Sequence, residues 1–172
     1  MNSFNRRKFL QFIGGAAAFA ALPPWVSAAT VAPRVVVIGG GFGGATVAKY
    51  LRLWGGNVDV TLVDPNANHI ACILSNLVVV NSIPLSRITI SYDTLRTTYG
   101  VRILRDSAVA IDPVAHSVSL AGGTTLAYDH LVLSPGIDFI PIPGWDSSLV
   151  PHAWQAGPQT TLLKNQLAAM PA

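Results

Sequence analysis

Residues 34–54 read Arg34-Val35-Val36-Val37-Ile38-Gly39-Gly40-Gly41-Phe42-Gly43-Gly44-Ala45-Thr46-Val47-Ala48-Lys49-Tyr50-Leu51-Arg52-Leu53-Trp54. Four consecutive β-favouring apolar residues, Val35 to Ile38, suit a strand buried on both faces. Gly44, Val47, Ala48, Leu51 and Trp54 then recur at helical spacing and define one packing face. The glycine run between them turns the chain. Gly39, Gly41 and Gly44 therefore form a G-x-G-x-x-G between a strand and a helix, the setting that gives this pattern its meaning. Gly39 permits the tight turn, Gly41 lets a pyrophosphate approach the backbone, and Gly44 lets helix and strand pack closely. The free amides and the dipole at the helix start favour an anion there.

Working outward, Val58 to Val63 reads as a second strand, with Val58, Val60 and Leu62 on one side. It ends at Asp64, 20 residues after Gly44, where an acid should meet a ribose hydroxyl. A flexible glycine loop and an aspartate capping a turn before Pro65 would explain each piece separately. The strand, turn, helix, strand and acid at their expected offsets favour one dinucleotide site over that account.

The 172 residues suffice for one domain or slightly more. Hydrophobic residues make up 51% and charged residues 11%, enough apolar material for a core and unlike a disordered chain. The net charge of +3 resides in Arg6, Arg7 and Lys8. Removing them from the 11 basic residues leaves eight against eight acidic ones. With no basic stripe, nucleic acid is not an expected partner. A single cysteine, Cys72, excludes an internal disulfide, a zinc ribbon and a C-x-x-C redox site. His69, His116, His130 and His152 have no ligand spacing and read as surface or satisfied core histidines.

Residues 1–28 read as an export signal. Asn5-Arg6-Arg7-Lys8-Phe9-Leu10 carries paired arginines, and the weak apolar run Phe9 to Leu22 is short of the ~20 residues that span a bilayer. Pro23-Pro24 ends it, and Val26-Ser27-Ala28 offers small residues for a peptidase. The block resembles a twin-arginine signal, including the Phe-Leu after the arginine pair; an ordinary secretory signal and an uncleaved anchor are the alternatives. The twin-arginine route moves folded proteins, so a cofactor loaded in the cytoplasm would travel with its fold. A retained cofactor favours FAD over NAD.

After Asp64, Pro65 to Asn68 predicts a loop, and the apolar stretch through Leu77 a short helix with Cys72 near its start. Cys72 is either a buried small hydrophobe or a thiol activated by a helix N-terminus. Pro84 and Ser86 precede a helix expected from about Ile90 to Tyr99, closed by Gly100. Val101–Leu104 reads as a strand. Ser107–Ile111, Ser117–Leu120 and Thr124–Ala127 read as an antiparallel meander, with turns at Asp112-Pro113 and Ala121-Gly122-Gly123. His130–Leu133 is a strand running into Ser134-Pro135-Gly136, where the backbone can approach a ligand at the sheet's carboxyl edge. Pro141, Pro143 and Gly144 mark irregular chain, and Pro158 to Met170 predicts a helix. The expected organisation is a signal at 1–28, a dinucleotide-binding domain at 29–150, and a linker with the first helix of a further domain at 151–172.

The stretches VVVIGGGFGGATVAKYLR, VTLVDPN, CILSN, YDHLVLSPGI and PHAWQAGPQTTLLKNQL together resemble the N-terminal part of the flavoprotein subunit of flavocytochrome c sulfide dehydrogenases. These flavoproteins have two dinucleotide domains and are related to sulfide:quinone reductases. The likeness runs from about Arg34 to the end. The resemblance implies an α/β fold: a Rossmann-like FAD-binding domain with a parallel sheet and an antiparallel β-meander, cut off at the start of the second domain. It also implies FAD bound through a thioether from Cys72 to the flavin 8α carbon. Gly39, Gly41 and Gly44 would hold the pyrophosphate and Asp64 the ribose, with Ser134, Pro135 and Gly136 against the cofactor. Phe42, Gly43, Pro65, Asn66 and Val109 complete the expected cofactor-binding set. No catalytic or metal-ligating residue is expected in this stretch.

The family chemistry so implied is periplasmic sulfide oxidation. Sulfide attacks a redox-active disulfide beside the flavin, and electrons pass to a c-type cytochrome subunit. The disulfide cysteines would lie beyond this sequence, so a truncated form without turnover of its own is expected. The chain contains no C-x-x-C-H, so the haem would belong to another chain. No stable membrane insertion is expected once the signal is cleaved. A quinone-reducing relative and a non-catalytic FAD-binding piece are the competing expectations.

Overall fold

The computed structural model describes residues 31–140, 142–152 and 154–171. The expected export signal lies outside the described residues. Strand β1 (Arg34–Ile38) is the centre of the molecule, followed by helix α1 (Phe42–Trp54) and strand β2 (Asp59–Val63). An excursion follows: β3 (Asn68–Ile70), a 3-10 turn (Cys72–Leu74), α2 (Ser75–Val79), a second 3-10 turn (Leu85–Ile88), β4 (Thr89–Ser91) and α3 (Asp93–Thr97). The chain then adds β5 (Arg102–Leu104), the meander β6 (Ala108–Asp112), β7 (Ser117–Leu120) and β8 (Thr125–Ala127), and β9 (His130–Leu133). It closes with α4 (Pro158–Ala168).

The main sheet is parallel, in the order β5-β2-β1-β9. Val35 pairs with Val60 on one side and His130 on the other. Helix α1 connects β1 to β2 in one direction, while β9 lies on the opposite side of β1. The carboxyl ends of β1 and β9 therefore flank a topological switch point, where open α/β sheets bind ligands.

The continuous apolar reading of β1 is explained by two separate cores. Val35, Val37, Val60 and Leu62 pack with Ala48 of α1 and with Tyr92, Leu95 and Val101. Val36 and Val63 face the other way, onto Val118, Leu120, Leu126 and Tyr128 of the meander. Both faces of the sheet are covered, as a parallel sheet requires. On α1, Gly44 and Ala48 are buried, and Ala45 and Leu51 pack partly against the first core. Trp54 does not belong to that face as the sequence pattern suggests: it is 78% exposed, with its ring against Tyr50 at a 4.3 Å centroid distance.

The expected helix from Ile90 to Tyr99 is also corrected. Thr89–Ser91 is a strand, paired antiparallel with Asn68–Ile70. The helix begins only at Asp93, whose amide donates to Ser91 Oγ at 3.0 Å. Asn68, expected in a loop, is drawn into the same two-stranded ribbon. The excursion has a small core of its own, Ala71, Val78 and Ile88. Helix α4, which the sequence assigns to the start of a further domain, lies against α2, with Thr160 buried. No helix among the described residues is long and apolar enough to cross a membrane.

Candidate functional site

Three segments meet at the carboxyl edge of the sheet. The first is the glycine turn. Gly39 has φ +94°, a conformation that favours glycine, and its amide donates to Val63 O at 2.8 Å. A Cβ on Gly39 would lie 2.1 Å from Ser134 O and 3.3 Å from Pro135 Cα. A Cβ on Gly44 would lie 1.8 Å from Gly39 O and 3.2 Å from Val37 Cγ1. These two glycines are thus required by backbone-to-backbone approach, as their places in the motif suggest. Gly41 differs: a Cβ there would meet only His69 Cε1, at 3.9 Å. Its open face stands at the start of α1, where Gly41 O accepts the first helical bond, from Ala45, at 2.9 Å.

The second segment is the end of β2. Asp64 is buried, 8% exposed, and both its oxygens hold backbone amides. Gly40 N–H donates to Oδ2 at 2.6 Å and Asn66 N–H to Oδ1 at 2.8 Å. The carboxylate therefore ties the glycine turn to the loop after β2, and each oxygen retains a lone pair for a hydroxyl donor. Pro65 O accepts a long bond from Arg105 Nε at 3.4 Å.

The third segment follows β9. Ser134 N–H donates to Ile38 O at 2.8 Å, which seats the end of β9 beside the glycine turn. Ser134 Oγ also occupies the space beside Gly43, 2.7 Å from where a Cβ would stand. Gly136 has φ +81°. Gly39, Gly41, Gly43, Gly44, Asp64, Asn66, Ser134 and Pro135 are thereby brought to one edge.

Two further side chains join this edge that the sequence reading did not select. Tyr92 is buried with its hydroxyl over Gly40, 2.3 Å from where a Cβ would stand. Burial, reinforced by the charge of Asp64, pushes its phenol up to about 12. His69 lies edge-on to Phe42 at a 4.8 Å centroid distance, and its Nε2 is buried with no hydrogen-bond partner among the described residues. Burial holds the His69 imidazole below its ordinary range, against the opposing pull of Asp64. His69 is therefore not the satisfied or surface histidine expected, and neither is His152, whose buried Nδ1 is also unpartnered. Register could have suggested His69, which pairs with Ile90 on the short ribbon; spacing along the chain could not.

Two expected residues stand apart from these contacts. Cys72 is exposed and begins a 3-10 turn, with its carbonyl accepting Ser75 Oγ at 2.7 Å. That removes the reading of Cys72 as a buried hydrophobe. Among the described residues, no hydrogen bond joins it to the glycine turn. Val109 is exposed on β6, at a bulge: Ala108 pairs with Leu120 and Ala110 with Ser119, so Val109 is left out of the ladder.

The pyridine nucleotide-disulphide oxidoreductase family profile matches residues 33–162. Over 45 residues the chain is 56% identical to the flavoprotein chain of the flavocytochrome c sulfide dehydrogenase of Chlorobaculum thiosulfatiphilum; this covers 26% of the chain and 94% of that sequence. Over 111 residues it is 38% identical to ferroptosis suppressor protein 1 of Taeniopygia guttata, covering 64% of the chain but only 28% of that protein. Its fold matches the crystal structure of the sulfide:quinone oxidoreductase of Aquifex aeolicus with a TM-score of 0.64 and 24% identity, over 80% of this chain and 33% of that one. The chain thus spans about a third or less of these two longer proteins. The matched residues take in every strand and the whole edge just described, and the chain belongs to the pyridine nucleotide-disulphide oxidoreductase family.

Proposed function

We propose that this chain carries the FAD-binding site of a periplasmic sulfide-oxidising flavoprotein that delivers electrons to a c-type cytochrome subunit. One observation carries the cofactor assignment. Of the three fingerprint glycines, two are filled by neighbouring backbone, and Gly41 alone presents a free face at the helix start. A diphosphate fits there because the amides at a helix start are unsatisfied and the dipole favours negative charge. The rest of the edge suits the same ligand. Asp64 would accept a ribose hydroxyl, and Ser134 to Gly136 would form the opposite lip. When bound, the flavin accepts an electron pair and releases it in single steps.

Sulfide as the substrate and a cytochrome as the partner are suggested by the relative from Chlorobaculum thiosulfatiphilum. The twin-arginine pattern of residues 1–28 supports export with the cofactor already bound. The attachment point we assign is Cys72 Sγ, to the flavin 8α carbon: the new S–C bond would replace the thiol S–H and one 8α C–H, and the electron pair released would reduce the flavin ring itself, to be passed on to the cytochrome acceptor. An exposed thiol is reachable by a flavin without unfolding the excursion, and a covalent bond keeps the cofactor in a compartment that makes none.

Intact-mass measurement on denatured, exported full-length protein tests the cofactor and its attachment together. A gain of one FAD on the peptide containing Cys72 is the expected result. A yellow protein with an unmodified Cys72 peptide removes the covalent bond but leaves the site; absence of any flavin removes both. Reduction of a c-type cytochrome by sulfide through the assembled complex, compared with reduction of a quinone, then identifies the acceptor.

A further inference from the structure

Resting on the dinucleotide reading above, we propose that Arg105 closes the adenine end of this site, its guanidinium lying against the face of the base. The order of the strands leads to it. The main sheet runs β5-β2-β1-β9 with every pair parallel, so all four carboxyl ends stand at one edge. Three of those ends already have a role: β1 opens into the glycine turn, β2 into Asp64 and β9 into Ser134. The fourth, β5, ends at Leu104, whose carbonyl accepts the Asp64 amide at 3.1 Å. Arg105 is the next residue. A diphosphate at Gly41 and a ribose at Asp64 step outward from β1 to β2, and neighbouring strands lie about 4.8 Å apart. The base on that ribose comes next, and the next strand outward is β5.

The side chain of Arg105 suits that place. It is exposed, so a ligand can reach it. Its Nε donates to Pro65 O at 3.4 Å, which brings the guanidinium beside the residue that follows Asp64. Among the described residues the ion pairs are Arg34–Asp129 and Arg96–Asp93, so no carboxylate neutralises Arg105 there. The adjacent Asp106 is turned instead to the amides of Ser107 and Gly122. A groove of about 190 Å³ is lined by Arg105, Ile103, Asn66 and Tyr92, together with the paired Asp93 and Arg96. Chemistry then decides between a base and a further phosphate as the group the guanidinium meets. A phosphate there would lie next to the Asp64 carboxylate and be repelled by it. A base is neutral, and its π face attracts a guanidinium that is always charged and sheds its hydration easily.

The test uses the full 172-residue chain, made by cell-free synthesis without flavin, with ADP and ribose 5-diphosphate as probes in equilibrium dialysis. The probes share the diphosphate and the ribose and differ only in the base. Arg105→Ala should weaken ADP about fivefold, the range of an exposed cation–π contact, and leave ribose 5-diphosphate within about twofold of the unaltered chain. Equal weakening of both probes overturns the proposal, because charge acting on phosphate, or a purely structural role, moves both alike. No weakening of either overturns it too. As a second measurement, ADP on the unaltered chain should give nuclear Overhauser contacts between the adenine ring protons and the Arg105 Hδ protons. Their absence while ADP is bound overturns the contact whatever the dialysis gives, and leaves the rest of the dinucleotide site standing. Uptake of FAD without any uptake of ADP has the same meaning. If the unaltered chain takes up neither, the dinucleotide reading fails and this inference fails with it.

Discussion

The glycine turn and the Cys72 turn face opposite demands, although both are assigned to the same cofactor. At the glycine turn the chain is packed against itself: Gly39 has the backbone of Ser134 on it, Gly44 the carbonyl of Gly39, and Gly40 the hydroxyl of Tyr92. At Cys72 the thiol is exposed, and the local core beneath it is the small cluster of Ala71, Val78 and Ile88. One region is specified by the absence of side chains and tolerates no addition. The other presents a single exposed thiol and leaves its surroundings free. A non-covalent cradle must be shaped in advance, whereas a tether requires only reach.

The sharpest way to break this contrast is Gly44→Leu. A side chain there must enter space held by Gly39 O and Val37, so β1 and α1 would separate. We expect a loss of stability of more than ~4 kcal/mol, read from the denaturant midpoint, together with complete loss of flavin. Gly40→Ala should be milder, roughly 1–3 kcal/mol, because the displaced neighbour is the end of the Tyr92 ring rather than backbone. A second change, Tyr92→Leu, should recover part of that loss if the contact is the cause.

Gly41→Ala separates shape from binding. Its backbone, at φ −66° and ψ −169°, is open to alanine, and a Cβ meets nothing closer than 3.9 Å. The variant should unfold within about 1 kcal/mol of the parent, yet hold FAD at least about tenfold more weakly, because the added methyl stands where the diphosphate approaches. Cys72→Ser should leave stability within about 0.5 kcal/mol, as for other exposed positions, while abolishing any FAD mass on the denatured chain.

The smallest expected effect lies at the far end of β1, where Arg34 Nη2 meets Asp129 Oδ1 at 3.0 Å on the surface. Hydrogen bonds from Arg34 hold the Asp129 carboxyl down at about 2, against an ordinary 3.8. A depressed carboxylate contributes stability above its unfolded value and loses it as pH falls through the folded one. The contribution should therefore fade between about pH 4 and pH 2, and Asp129→Asn should remove that part of the acid titration curve while changing little at neutral pH.

What the sequence made legible was local. The strand, glycine turn, helix, second strand and Asp64 follow one another within 31 positions and need no partner elsewhere to be recognised. The meander was legible for the same reason, with alternation and turn residues in immediate succession. The excursion was not. Thr89–Ser91 is a strand because Asn68–Ile70 lies beside it, and a single stretch of Thr-Ile-Ser gives no sign of that partner. Ser91 as the group that receives the Asp93 amide was the available clue to a later helix start. His69 and Tyr92 reach the edge through this ribbon and the helix after it, so neither could be assigned before the ribbon was known. Trp54 misled because it continues the helical period beyond the point where the sheet still lies beneath α1.

The placement of β9 has a consequence for how the molecule is made. β1 is among the first elements synthesised, and its second neighbour arrives 95 positions later, when Asp129 reaches the amide and guanidinium of Arg34. Until Ser134 leaves the ribosome, Gly39 has one wall missing and the switch point does not exist. Such a distant closure makes the cradle a late event in folding. A nascent chain halted in the meander would own the complete fingerprint and still be unable to capture its nucleotide.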